Sequence, residues 1–515
     1  MNKHLYRIVF NRALGVLQVV AEIAGRPGGG GSTDGGPVAA TLRPVSFALW
    51  LALGLVGVVA PAVAQQVLGE RVGRIVADPD APGRHRPTVL ETADGVPVVN
   101  ITTPSAAGVS RNVYSRFDVN AEGAILNNSR TQVQTQLAGW VQGNPWLATG
   151  TARVILNEVN SADPSYLHGY VEVAGDRAQV VIANPAGIQV DGGGFLNASR
   201  ATLTTGTPIL EHDALKGYGV ERGTIRVTGA GLDATHTDYT ELIARSLQVN
   251  AGIWAQQLQV TTGINAVSAD HTQVAVATGT NTGAAPTLAL DVSALGGMYA
   301  GKIALLGTEH GVGVRNAGEI GASAGELMVT VDGRLENTGA MQSKTDLRVS
   351  ADGGVANAGT LSAARELVVT TPKDLDNRGT VNARRIEVEA ASLRNRDGAI
   401  EQTGTQQLTL QADRVSNRDG GRIGLTASAA LNPGVGEPGT GGGNAGDGGT
   451  GGETGGGHDN GESGTGGSVT PPVTLADGVL NIAGTLDNDG GRINAGGVVD
   501  LLTANGLDNS GGYLG

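Results

Sequence analysis

Leu335-x-Asn337-x-Gly339-x-Met341, Val355-x-Asn357-x-Gly359-x-Leu361 and Leu375-x-Asn377-x-Gly379-x-Val381 recur at twenty-residue spacing. A fixed period of that size marks a stacked architecture. Weaker or stretched copies lie at Asn316-Ala317-Gly318, Asn395 to Ile400 and Asn417 to Ile423, and two more lie beyond a gap, at Leu486 to Ile493 and Leu507 to Leu514. Between the Asn-x-Gly sites apolar residues alternate at Leu327-Val329-Val331, Leu347-Val349, Leu367-Val369, Ile386-Val388 and Leu408-Leu410, the pattern of half-buried strands. Asn and Gly tolerate the left-handed backbone conformation, so each repeat reads as short strands joined by Asn/Gly corners. One repeat is then one rung of a parallel β-helix, an all-β solenoid. Its strands pair about 4.8 Å apart, and residues twenty apart stack, Leu over Leu inside and Asn over Asn at the corner.

A few inward aliphatics contribute about 1.5–3 kcal/mol each, whereas ordering a rung costs about 1–2 kcal/mol per residue in backbone entropy. A lone rung cannot fold. Stacking supplies shared ladders and a continuous core, and the exposed end requires a cap, which must lie upstream of the regular rungs.

Composition agrees with this class. The chain has 515 residues with 83 Gly, 3% aromatics and 16% charged residues, which suits tightly turning β structure more than a helical enzyme. A net charge of −13 without any dense Lys/Arg stripe argues against nucleic acid and against anionic partners in general. With no cysteine, the chain can cross an oxidising compartment unfolded without being trapped by cross-links.

Residues 1–64 read as an extended signal peptide. Arg43 precedes an apolar run, Ser46 to Ala60, and Ala62-Val63-Ala64 precede Gln65, so cleavage is expected after Ala64, with Ala62 and Ala64 as the small residues of the site. The run is short for a membrane span of about 20 residues. Ahead of it, MNKHLYRIVFNRALGVLQVVAEIA mixes basic and apolar residues, which suits a membrane-proximal role before cleavage. Residues 65–310 are strand-rich but irregular, with turn signals about every ten residues, as in a capped β-helix carrying side hairpins. Regular repeats fill 311–424. Residues 425–474, dominated by Gly from Pro433 to Pro472, read as a flexible linker unable to bury a core. Further repeats occupy 475–515, and the pattern breaks off at Gly515 in mid-repeat.

Several stretches carry a family likeness: Asn127-Asn128-Ser129, Gln142 to Ala148, Ala152 to Val159, Val181 to Ile188, and Gly193 to Gly206. Together they resemble the two-partner secretion domain of the filamentous haemagglutinins, and residues 1–24 resemble the extended signal peptide region of that group. The resemblance implies a right-handed parallel β-helix whose N-terminal capped domain is the export signal. It implies Sec export to the periplasm, recognition by the periplasmic domains of a dedicated outer-membrane transporter, and release to the surface of a Gram-negative cell. The family motifs Asn-Pro-Asn-Leu and Asn-Pro-Asn-Gly-Ile map onto Asn144, Pro145, Trp146 and Leu147, and onto Asn184, Pro185, Ala186, Gly187 and Ile188. Both are altered, since Trp146 and Ala186 stand where the family has Asn, which puts a third-position side-chain hydrogen bond in doubt. Asn-Pro is also a generic turn initiator, so these residues are either transporter-recognition elements or structural turns, or both. A Cys pair frequent in the contact-dependent growth inhibition subgroup would fall at Val190 and Gly193 and is absent, which favours the adhesin-like branch.

The functional expectation is a secreted haemagglutinin-like adhesin whose target is a host or bacterial cell surface. The alternatives are the N-terminal delivery section of a contact-dependent toxin and, with little support, a β-helical polysaccharide-active enzyme. No catalytic constellation is visible: Glu326, Asp346, Glu366 and Glu387 fall in similar positions near strands and read as solvated edge charges. The eight His lack metal-ligand spacing, and the Gly-rich run near Gly441 to Gly457 lacks the apolar period of a calcium roll. Neither metal nor cofactor is expected. Asn100, Asn127 and Asn197 match a glycosylation pattern that reads as accidental in a bacterial chain.

Overall fold

The computed structural model describes residues 6–11, 16–21, 74–276, 283–404, 406, 408–425, 478–494, 499–503 and 506–514. The expected cleavage site at Ala62 and Ala64 and the linker from Pro433 to Pro472 lie outside the described residues. The chain divides into two units, residues 1–69 and 70–515. In the first, Tyr6–Asn11 and Val16–Ala21 pair as an antiparallel hairpin.

The second unit is a parallel β-helix of about 13 turns. Each turn contributes to three faces, with one continuous strand serving the first two in Glu366–Asn377, Arg385–Arg396 and Leu408–Arg418. In one rung the strands are Leu327–Val331 on the first face, Leu335–Asn337 on the second and Ala340–Ser343 on the third; in the next they are Leu347–Ala351, Val355–Asn357 and Thr360–Ala363. Register is direct, with Leu327 opposite Leu347, Leu335 opposite Val355 and Met341 opposite Leu361. These inward residues are fully buried and belong to one apolar core that runs from Ile75 to Ile493, so each rung buries its aliphatics against those above and below.

The expected corner ladder is present but works differently from the sequence reading. Asn316, Asn337, Asn357, Asn377, Asn395 and Asn417 are buried, and each donates its side-chain amide to the Oδ1 of the next Asn at 2.7–2.8 Å. None of them has positive φ, and neither do Gly339, Gly359 and Gly379. Left-handed corners are therefore not the reason for this pattern. Gly serves close approach: a Cβ on Gly359 would stand 2.0 Å from the Gly339 carbonyl oxygen, and one on Gly379 2.0 Å from that of Gly359. In the Asn corners positive φ appears where the corner is lengthened, at Asp397, Asp419, Gly420, Gly490 and Gly511.

Of the acidic residues read as solvated edge charges, Glu326, Asp346 and Glu366 form ion pairs between rungs and Glu387 forms one within its own strand. Glu326 pairs with Lys302, Asp346 with Arg365, Glu366 with Arg348 and Arg385, and Glu387 with Arg385. Exposed pairs of this kind contribute about 0–1 kcal/mol each.

The first turn carries the cap that stacking requires. Ile75–Ala77 pairs antiparallel with Val109–Phe117, and Thr88–Glu91 pairs antiparallel with Pro97–Asn100, whose other edge joins Ala124–Asn128. Insertions supply the side hairpins. Val133–Thr135 and Gly139–Val141 form one. Thr207–Glu211, Ala214–Val220, Asn265–Ser268 and Val274–Val276 form a four-stranded antiparallel sheet, which covers the outer side of the first face through a separate cluster of Leu156, Val181 and Ile243 against Tyr218, Val220 and Val267. After the Gly-rich segment the register resumes, Leu410 opposite Leu480 and Val415 opposite Leu486.

Candidate functional site: two Asn-Pro turns

Asn144 caps a short 3-10 turn, Pro145–Leu147. Proline fits the first position because it has no N–H to leave unpaired and its φ is preset. The Asn144 side chain is 3% exposed and uses both ends. Its Oδ1 accepts from the Trp146 N–H at 3.0 Å, and its Nδ2 donates to the carbonyls of Ile101 at 2.9 Å and Asn127 at 3.0 Å. Leu147 drops into the core, whereas Trp146 is 50% exposed and donates Nε1–H to Thr88 Oγ1 at 3.2 Å. The turn therefore fastens the inserted hairpin to the cap and presents an indole outward.

Asn184 repeats the design on the second face. It is fully buried, its Oδ1 accepts from the Ala186 N–H at 2.9 Å, and its Nδ2 donates to the Asp163 carbonyl and to Ser165 Oγ, both at 3.0 Å. Gly187 has φ +125°, a conformation that favours glycine. Ile188 then enters the core and pairs between Ser165 and Ile225. In both turns the third residue bonds the first Asn through its backbone N–H, so Trp146 and Ala186 leave that bond intact. At the third position Trp146 makes a side-chain hydrogen bond, to Thr88, and Ala186 has none to make.

The sequence reading missed the polar framework that holds these turns. Asn127 donates to Asn100 Oδ1 and to the Gln142 carbonyl, both at 2.8 Å, and Asn128 bridges to Ala152 in both directions. Asn100 and Asn127, two of the glycosylation matches, are spent inside the fold and buried. Glu172, 4% exposed, accepts from the N–H groups of Gln136 and Leu137 and anchors the hairpin. Beneath the four-stranded sheet Glu241 is buried with Thr202, Arg200 and His271. Asp118 is also buried, and burial pushes its carboxyl up to about 6 despite the Tyr166 N–H and Arg116 nearby. A long-range contact of this kind leaves no periodic signal in sequence.

Residues 73–337, just over half of the chain, match the family described as the TPS secretion domain. The chain belongs to the two-partner secretion family. Residues 1–51 match the Extended Signal Peptide of Type V secretion system. The two-partner secretion match runs past residue 310, where the regular repeats were expected to begin, and takes in the first of them. Among relatives, this chain is 56% identical over 354 residues to the Toxin CdiA of Yersinia pestis, covering 67% of this chain and 10% of that protein. It is 47% identical over 350 residues to the tRNA nuclease CdiA-2 of Burkholderia pseudomallei, covering 66% and 11%. The chain thus spans about a tenth of the length of the curated relatives it matches. A crystal structure of a filamentous hemagglutinin secretion domain is similar at 27% identity and a TM-score of 0.45, over 66% of this chain and 96% of that one. The two-partner secretion assignment makes this a secreted exoprotein of a Gram-negative bacterium, exported by Sec through the periplasm and translocated by an outer-membrane transporter of its own system. Among the described residues no helix is long and apolar enough to cross a membrane.

Proposed function

We propose that this chain is the N-terminal delivery section of a contact-dependent toxin: the capped turns carry the export signal, and the repeats form a stalk. The observation that carries this reading is the 56% identity with a toxin over two thirds of the chain. On this reading the section catalyses nothing itself and needs no cofactor, its target is a neighbouring bacterial surface, and the transporter reads the surface around Asn144 to Leu147 and Asn184 to Ile188. The adhesin reading rests on the missing Cys pair. Here Val190 is buried, and its Cγ1 would lie 2.9 Å from a Cβ on Gly193, so a valine methyl fills the space against a bare glycine.

A chimera decides between them. Residues 1–424 of this chain replace the matching N-terminal segment of the Yersinia pestis toxin, and the chimera is expressed with this chain's own transporter. Export followed by inhibition of target cells in co-culture supports delivery. An exported chimera that binds cells but never inhibits them supports the adhesin.

A further inference from the structure

The outward side of the third face carries one column of stacked residues. Asp233, Trp254, Tyr299, Gly321, Gln342, Ser362, Asn382 and Glu401 stand opposite one another on successive rungs. Trp254 is 41% exposed, and its ring stacks on Tyr299 with centroids 6.4 Å apart and planes 17° from parallel. Tyr299 is held by its hydroxyl, which donates to Glu319 Oε2 at 3.3 Å. The next residue in the column is Gly321, where a Cβ would come no nearer to the Tyr299 ring than 3.8 Å from Cδ1, so the ring pair ends in open space instead of against another side chain. Beyond it the column continues through an amide, a hydroxyl and a second amide.

Trp254, Tyr299, Gly321, Gln342, Ser362 and Asn382 line a groove of about 540 Å³, and the charged ends of the column, Asp233 and Glu401, stand outside its lining. Four rung steps separate Tyr299 from Asn382, about 19 Å at the usual strand spacing. Lys344 is the single charged residue among those lining it. The contrast with the neighbouring depressions is chemical: one is lined by Asp346, Arg348, Arg365, Glu366, Arg384 and Arg385, another by Arg334, Glu336, Asp376, Arg378, Arg394 and Arg396. An anion or cation would be drawn to those sites. The third-face groove offers a flat apolar ring at one end and uncharged donors and acceptors along its floor, a combination that fixes a ligand by apolar contact and orients it by a few polar groups. A pyranose has that form, with an apolar C–H face and a rim of hydroxyls.

We propose that this groove binds a neutral oligosaccharide, one sugar packed on the ring wall of Trp254 and Tyr299 above Gly321 and the following sugars crossing Gln342, Ser362 and Asn382. The groove lies on the exported stalk whether the chain delivers a toxin or adheres, so the inference does not depend on that choice.

The test is calorimetric titration of the exported full chain with cellohexaose, maltohexaose and chitohexaose, with a heparin hexasaccharide as the sulfated comparison. The expected result is saturable binding of at least one of the neutral hexasaccharides, weakened at least tenfold in Trp254→Ala and in Gly321→Leu. The second variant is decisive. It leaves both rings in place, and its backbone is outside the left-handed region, so it should melt like the parent while its side chain fills the floor beside Tyr299. The proposal is overturned if none of the neutral sugars binds, if the sulfated one alone binds, or if Gly321→Leu binds them as well as the parent does.

Discussion

Asn417 donates its side-chain amide to Oδ1 of Asn488 at 2.7 Å across 71 positions of sequence, the same bond that Asn357 makes to Asn377 across 20. The ladder is indifferent to the length of chain between its members. Each buried amide needs a partner, and the rung that supplies one is selected by register, not by proximity in sequence.

Deleting residues 433–472 should therefore leave the ladder whole. Loop closure depends weakly on length, each doubling costing about 0.6 kcal/mol, so the thermal midpoint of the exported chain should be unchanged or slightly raised. Excising Asn357 through Asp376 should also preserve export, because Asn377 takes the place of Asn357 and Asn337 still finds an Oδ1. A collapse of secretion on that one-period deletion would contradict the rung register.

Asn357→Ala breaks two links, leaving Asn377 Oδ1 buried without its partner and the Asn337 amide with the Thr360 carbonyl alone. A loss of about 1–3 kcal/mol is expected for each buried group left unpaired, seen as a lower denaturant midpoint. Gly359→Ala should be worse, since its methyl meets the Gly339 carbonyl and the rungs must separate. Thr360→Ala, on the same rung, should cost less than either.

The turns invite a comparison of a buried and an exposed substitution. Asn144→Ala and Asn184→Ala each remove three hydrogen bonds from a buried site and should lower both stability and release into the medium. Trp146→Ala leaves the bonds of Asn144 intact and removes only the exposed one to Thr88. If the transporter reads this surface, Trp146→Ala should reduce release with an unaltered melting curve, and normal release would confine the turn to a structural role.

Asp118 gives a pH signature. Its carboxyl sits near 6 in the fold against an ordinary value of 3.8, so between these values the folded chain holds a proton that the unfolded chain has lost. Stability should fall as pH rises from about 4 to about 6 and level off above that. Asp118→Asn should flatten this slope in urea titrations run across that window.

Cleavage should follow Ala64, so that exported material begins at Gln65. N-terminal sequencing checks it, and a start within residues 1–40 would require another site.

The period, the inward aliphatics and the Asn ladder were legible because stacking repeats the same contact every rung, and repetition is what a single sequence displays best. The role of Gly339, Gly359 and Gly379 was misread. Positive φ and close backbone approach both select glycine, and only coordinates separate them. The four-stranded sheet over Glu241 was legible merely as side hairpins, because its strands come from two insertions separated by the strands and corners between Val220 and Asn265. The two Asn-Pro turns were found by their motif, but the partners of Asn144 and Asn184, such as Ile101 and Ser165, lie on other rungs and carry no mark of it.

The hydrogen bonds between rungs run along the solenoid axis, while the covalent chain crosses from one rung to the next once per turn. Tension applied to the two ends of such a rod loads one ladder at a time, and a rung that peels away releases about twenty residues, roughly 66–72 Å of extended chain, in exchange for about 4.8 Å of rod. A rod built this way lengthens in steps under load and re-forms when slack. Single-molecule pulling should show a sawtooth with increments near that difference.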